Sequence, residues 1–211
     1  MVKIQKPKFI DELEEEFDLD AYDFDGDKIQ NKIVQGITVS DKYGRGATID
    51  SCIFKNVIFE ESEFKNIELI DVRFEGCDLS NISFIGGSLH RVEFVNCKLI
   101  GARLDETSMK DVLFNNVLGR YANFSYSKLQ NVSIEESNLE EATFQEVKHK
   151  NLIFKESNLA NSYFNKTSLS KVDFTTSEIT GIDVDLESLV GVIVTSYQAL
   201  DLTRLLRITI K

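Results

Sequence analysis

The chain has 211 residues, with 24 basic and 35 acidic side chains, a formal net charge of -11 and a pI near 4.7. That balance argues against simple electrostatic capture of DNA or of an anionic membrane, and 42% hydrophobic residues with a single proline argue against disorder. No apolar run reaches membrane-spanning length and residues 1–8 lack the apolar core of a secretion signal, so a cytoplasmic location is expected.

In chain order, residues 1–8 hold Lys3, Lys6 and Lys8, and Phe9 to Asp27 holds ten acidic residues and no Lys or Arg. Ile10, Leu13 and Phe17 fall at i, i+3 and i+7, which predicts a short helix. The whole segment, 1–32, is expected to cap the open end of a repeat; the alternative is an acidic arm that meets a basic partner. Between Ile29 and Ile49 the sequence is transitional. Asp27 and Lys32 would stand at inward positions suited to small side chains, so the first coil is expected to start near Ile33.

From Cys52 to Ile179 every fifth residue is large and apolar: Phe54, Phe59, Phe64, Leu69, Phe74, Leu79 and onward, with a small residue two positions before each, as in Cys52, Val57, Ser62 and Ile67. A period of five fits neither a helix nor a strand, and over this length it requires a repeat architecture. Grouping the large residues by twenty separates phenylalanine onto opposite columns. Phe54, Phe74, Phe94, Phe114, Ile134, Phe154 and Phe174 make one, and Phe64, Phe84, Leu104, Phe124, Phe144 and Phe164 another; the two between them are mostly leucine. That segregation supports a square coil of twenty residues, stacked at ~4.8 Å. Two positions break the rule. At Gly119 a local bulge covered by Leu118 or Tyr121 is expected, and His149 is expected to turn outward or to be tolerated in the core. Cys52, Cys77 and Cys97 all lie in the small series and are expected to be reduced and packed; Cys77 and Cys97 are one coil apart, which leaves a disulfide open.

Past Asp185 the frame stops. Val190 to Val194 predicts a last strand, Thr195 or Ser196 a helix cap, and Arg207 to Ile210 a short strand. The apolar stripe of Leu202, Leu205 and Leu206, with Ile208 and Ile210, is expected either to cover the last coil or to form a dimer interface.

The small–x–large–x–x unit, as in Cys77-Asp78-Leu79-Ser80-Asn81, resembles the pentapeptide-repeat family. The resemblance implies an all-β solenoid, a right-handed quadrilateral β-helix, over 33–184, followed by a small helix-plus-strand cap over 185–211. The segments Gly76 to Phe94 and Gly191 to Leu200 resemble the Qnr and MfpA branch, most closely the chromosomal Qnr-like proteins of Gram-positive bacteria. That implies a rod that imitates duplex DNA, binds DNA gyrase and topoisomerase IV, lowers sensitivity to fluoroquinolones and pairs as a homodimer through its C-terminus. Loops that project from some Qnr rods have no counterpart, because the frame from Phe54 to Ile179 has no insertion.

Charge is uneven around the square. The outward residues net -3 on the Phe54 side, -4 on the Phe59 side and +3 on the Leu69 side. Acidic stripes on a rod of duplex width suit a basic DNA-binding surface. The expected contacts are Glu60, Glu61, Asp78, Glu135, Glu136, Glu140, Glu141 and Glu178, each in place of a phosphate. A scaffold for another protein is the competing class. No catalytic, cofactor or metal residue is expected: no nucleophile–base pair, phosphate-binding loop or ligand cluster occurs, and His90 and His149 are three coils apart. No direct nucleic-acid or membrane contact is expected either.

Overall fold

The structure, a computed structural model, describes residues 4–208. Its strands are β1 (Glu14–Glu16), β2 (Lys28–Gln30), β3 (Lys32–Gln35), β4 (Thr38–Ser40), β5 (Tyr43–Arg45), β6 (Thr48–Lys55), β7 (Ile58–Glu60), β8 (Glu63–Lys65), β9 (Glu68–Glu75), β10 (Ser88–Val95), β11 (Ser108–Asn115), β12 (Lys128–Glu135) and β13 (Lys148–Lys155), followed by helix α1 (Ser196–Leu202). Every paired strand is parallel, and from β6 to β13 the register advances by twenty residues per coil, for example Phe54 to Phe74, Phe94, Phe114, Ile134 and Phe154. The chain is therefore a four-sided β-solenoid. The eight-residue strands span two sides and the corner between them. The other two sides pair as β4–β7 and β5–β8, then continue as single parallel bridges.

Each pentapeptide makes one side because its centre and its small partner both point inward. Phe74, Phe94 and Phe114 are no more than 1% exposed, with ring centroids 5.1 and 4.9 Å apart and planes within 5°. The opposite column is stacked alike, with Phe124, Phe144 and Phe164 at 4.8 and 5.0 Å. Each pair adds about 0.5–1.5 kcal/mol beyond area burial. At the small positions, hydroxyls take up corner N–H groups of the coil below: Val117, Ser137 and Ser157 donate from their backbone nitrogens to Ser137, Ser157 and Ser177 Oγ at 3.0–3.2 Å. That satisfies buried donors the sheet cannot reach.

Corners require a left-handed backbone, which asparagine and glycine tolerate best. Asn56, Gly76, Asn96 and Asn116 occupy one corner column, all with positive φ. A Cβ on Gly76 would come within 2.4 Å of Asn56 Oδ1, so the glycine also makes room for the amide beneath it.

Four expectations are corrected. No helix forms between Phe9 and Asp27; residues 14–16 are β1, paired with β3, and Ile10 and Phe17 are exposed. A helix there would stack like charges three and four residues apart, whereas the strand sends Glu14 and Glu16 to Lys32 Nζ at 2.8 and 3.6 Å. The inward frame starts before Ile33: Leu19, Phe24 and Ile29 are already buried in the core. The inward positions of this first coil open onto the rod's end, so Lys32 and Lys42 run out to Glu14, Glu16 and Asp20, and Asp27 accepts from the Asp23 and Phe24 amides. Gly119 produces no bulge. Its N–H stays in register with the Asn138 carbonyl, Leu118 and Tyr121 are about half exposed, and Leu139 Cδ2 fills the space where a Cβ would stand. Val190 to Val194 is not a strand, and makes only the Asp173–Ile193 bridge.

The helix has the expected Thr195 cap, a reciprocal box in which Gln198 N donates to Thr195 Oγ1 and Thr195 N to Gln198 Oε1. Gln198 Nε2 also donates to the Phe174 and Ser177 carbonyls at 2.8 Å, which seats the helix on the last coil.

Candidate partner-binding faces

The eight carboxylates expected to act together lie on the two predicted sides, but they are not electrostatically alike. Glu60, Glu61, Glu136 and Glu178 are exposed, while Asp78, Glu135, Glu140 and Glu141 are half-buried. Asp78 is paired with Lys98 at 2.9 Å, and Arg120 lies 3.3 Å from Glu140 and 3.6 Å from Glu141. Glu60, Glu61, Glu135, Glu136 and Glu178 have no ion pair among the described residues. The acidic walls are thus interrupted in the Phe59 column by cations one coil away.

Two local devices fix the charge state. Burial pushes the Asp78 carboxyl up, but the Ser80 hydroxyl and Lys98 outweigh it and hold the group below its ordinary value. At Glu178, the Thr180 hydroxyl and N–H lower the carboxyl against a smaller opposing effect of burial.

The Phe64 side, not counted as acidic from the sequence, carries Glu63, Asp105, Glu106, Glu146, Asp183 and Asp185 against Lys65, Arg103 and Lys166, a net of -3. Asp183 and Asp185, beside the buried Val184, make the difference, since around the centres from Phe64 to Phe164 alone the net is -1. Three sides are therefore acidic. On the Leu69 side Lys128 and Lys148 are register partners, and neither they nor Lys110, Lys150 and Lys171 have an ion pair among the described residues.

Glu93, counted as outward on the Phe54 side, is 5% exposed, and Asp71 and Asp111 at the neighbouring corner are 6% and 1% exposed. Residues 4–8 run over the two aspartates: Lys8 N donates to Asp71 Oδ1 at 2.8 Å and Gln5 N to Asp111 Oδ1 at 3.4 Å. Three lysines before an acidic run do not point to this placement in the sequence.

The C-terminal residues divide. Leu202 is buried in the rod's own core and Leu205 packs against it, whereas Leu206 and Ile208 are exposed. Of the strand expected over 207–210, Arg207 has a left-handed backbone, and Thr209 and Ile210 lie outside the described residues. Exposed Val190 and Tyr197 share this end, where a groove of about 420 Å³ runs between the 186–190 turn and α1.

His149 is half-buried and bridges coils, with Nε2 donating to the Ser168 carbonyl at 2.5 Å. The three cysteines are free and buried. Among the described residues no group of His, Cys, Asp or Glu is arranged to hold a metal, and no helix is long and apolar enough to cross a membrane.

Family models match in three stretches: the pentapeptide repeat region over residues 68–144, pentapeptide repeats in eight copies over 137–175, and the SV2A/B/C luminal domain over 13–104. With the five-residue frame and the four-sided solenoid, this chain belongs to the pentapeptide-repeat proteins. Among solved structures it is similar to a trypsin-treated variant of QnrB1, a plasmid-mediated fluoroquinolone resistance protein, at 24% identity over 89% of this chain and 92% of that one, with a TM-score of 0.41. Another trypsin-treated QnrB1 variant matches at 22% identity over 96% and 100%, with a TM-score of 0.43. HetL, a pentapeptide repeat protein involved in heterocyst differentiation regulation from the cyanobacterium Nostoc, matches at 14% over 77% and 88%, with a TM-score of 0.38. No curated protein matches the chain.

Proposed function

We propose that the rod is a protein-binding module that occupies the DNA-binding surface of a type II topoisomerase, DNA gyrase or topoisomerase IV, in place of duplex DNA and thereby lowers fluoroquinolone susceptibility. The observation that carries the reading is a straight wall with carboxylates at fixed coil spacing. Glu60 and Glu140 are four coils apart on one column, about 19 Å at strand spacing. Glu135 and Glu136 stand unpaired on the adjoining side. A basic saddle is drawn to such a surface as it is to phosphate. The resemblance of residues 76–94 and 191–200 to the Qnr branch selects the partner. The exposed apolar end at Val190, Tyr197, Leu206 and Ile208 supports end-to-end homodimers, for which analytical ultracentrifugation is the check.

The test is DNA supercoiling by purified gyrase, with and without a fluoroquinolone, over a titration of this protein. Inhibition at low micromolar protein, or rescue from the drug, is expected. No effect in either arm sinks the reading.

The ion pairs Asp78–Lys98 and Arg120–Glu140 favour a second reading, a scaffold for a different protein, because they remove negative charge from the middle of one wall. Co-purification of another complex without topoisomerase subunits would establish it.

A further inference from the structure

Two of the three thiols, Cys77 and Cys97, stand one above the other at inward positions of a single column. Lys98 N donates to the Cys77 carbonyl at 2.9 Å and Asp78 bridges to Lys98, so the two cysteines are register partners on adjoining coils. Their Cα atoms are therefore one strand spacing apart, ~4.8 Å, inside the range of about 4.4–6.8 Å that a disulfide spans. Further along the same column the position is held by Ser137, Ser157 and Ser177. The seat is alike: Cys97 Sγ donates to the Val95 carbonyl at 3.4 Å as Ser137 Oγ donates to that of Glu135 at 2.6 Å. Packing in this column thus accepts a hydroxyl as readily as a thiol.

Two observations set the pair apart from Cys52, which is equally buried. A hydrogen bond with Cys97 lowers the Cys77 thiol below its ordinary value against the effect of burial, and the same bond, together with burial, raises Cys97. Cys52 has no such neighbour, and burial pushes it up to about 11. The thiolate is the reactive form, so Cys77 is the nucleophile of the three and Cys97 keeps its proton. There is also a way in. An outer groove of about 260 Å³, bounded by Asn56, Gly76, Asn96 and Lys98, is lined by Cys77 and by neither of the other cysteines. It admits a small oxidant.

We propose that Cys77 and Cys97 are a peroxide-sensitive dithiol, oxidised within the folded rod to a disulfide that staples two coils. Hydrogen peroxide is the oxidant. The Cys77 thiolate attacks one peroxide oxygen, the O–O bond breaks, and the departing hydroxide takes a proton to become water, leaving a sulfenic acid. Cys97 Sγ then attacks the Cys77 sulfur. The S–S bond forms, the S–O bond breaks, and hydroxide leaves with the Cys97 proton as a second water. One peroxide is reduced and two thiols lose two electrons in all. The residues that follow the cysteines are the ion pair Asp78–Lys98, so the staple fixes the coil spacing at that point of the Phe59 wall. The inference does not depend on which partner that wall meets.

The test treats the reduced full chain at neutral pH with a small molar excess of hydrogen peroxide. Remaining thiols are then alkylated in denaturant, and peptides are mapped by mass spectrometry without reduction. A Cys77–Cys97 linkage should form and dithiothreitol should reverse it, while Cys52 is lost about tenfold more slowly or less. In Cys97→Ser the reaction should stop at a sulfenic acid, trapped by dimedone on Cys77; Cys77→Ser should give no adduct on Cys97 over the same exposure. Serine already fills this position in later coils, so circular dichroism should be unchanged in both. No linkage in the folded chain overturns the proposal, as does a linkage between molecules. Loss of all three thiols at one rate also refutes it, because oxidation would then proceed through unfolding. If either variant lost its fold, the wild-type linkage and the rate at Cys52 would decide alone.

Discussion

Arg91 donates from Nε to Oδ1 and from Nη2 to Oδ2 of Asp71, one coil below, both at 2.5 Å. The pair is mostly buried, with side-chain exposures of 16% and 9%, and the same carboxylate accepts the Lys8 amide. It joins two coils at a corner and helps to seat the N-terminal arm, so its loss should be felt at both.

Asp71→Asn should destabilise the rod at pH 7 by about 2–4 kcal/mol, because the partner charge is left in a largely dry corner. Burial raises the Asp71 carboxyl, but Arg91 and the Lys8 amide outweigh it and the group sits below its ordinary value. A depressed carboxylate contributes stability that is whole above its unfolded value of about 3.9 and is lost as pH falls through the folded one. Urea denaturation should therefore show the gap between wild type and variant narrowing as pH falls below the unfolded value of about 3.9. A gap that is constant with pH would mean that the carboxylate's ionisation is not involved.

The stacked phenylalanines make a second test. Phe94→Ala removes a ring that has neighbours above and below, and should cost about 3–5 kcal/mol. Phe174 has one stacked neighbour, Phe154 at 5.4 Å, in the last coil under the helix. Because each coil contacts only its neighbours, Phe174→Ala should loosen that end first. Circular dichroism in urea should show one broad, early step for Phe174→Ala and a whole-rod loss for Phe94→Ala.

Much of this core was legible in the sequence because a period of twenty is a statement about neighbours in space as well as along the chain. The columns of Phe54 and Phe64, the buried cysteines and the Thr195 cap all follow from local pattern. The first coil was not legible, since Asp27 and Lys32 look disqualifying at inward positions until the open end gives them an exit to solvent and, for Lys32, to Glu14 and Glu16. Asp111 looks like an ordinary outward residue, yet it is buried and accepts the amide of Gln5, about a hundred positions away. Leu202 reads in sequence as either a cover for the last coil or an interface residue, because an apolar stripe on a helix does not say whether it faces its own rod or another; the structure places it in its own core.

Two glycines, one at a centre and one at a corner, should respond differently. A Cβ at Gly119 meets the flexible end of Leu139 at 2.8 Å, which can rotate away, so Gly119→Ala should change stability by less than about 1 kcal/mol. Gly76 has φ +65 and its Cβ would press on Asn56 Oδ1 at 2.4 Å, so Gly76→Ala should cost about 1–3 kcal/mol. Thermal denaturation of the two variants side by side decides it; equal losses would mean that the corner column is not packed as described.

The carboxylates offer the sharpest functional contrast. If the rod is bound through unpaired negative charge, Glu60→Lys with Glu61→Lys, and Glu135→Lys with Glu136→Lys, should each weaken the effect on gyrase by tenfold or more. Glu140→Gln should weaken it less, because Arg120 already sits 3.3 Å from that carboxylate. The stronger effects should fade as salt rises, since exposed charges are screened over about 10 Å at 0.1 M. Rod stability should hardly change in Glu60→Lys with Glu61→Lys, as exposed carboxylates without an ion pair contribute little to folding. Supercoiling titrations at two salt concentrations separate the cases. If Glu140→Gln matched the double lysine variants, the partner would be reading the shape of that wall and not its free charge, and the imitation of phosphate would have to be given up in favour of a scaffold that fits some other surface.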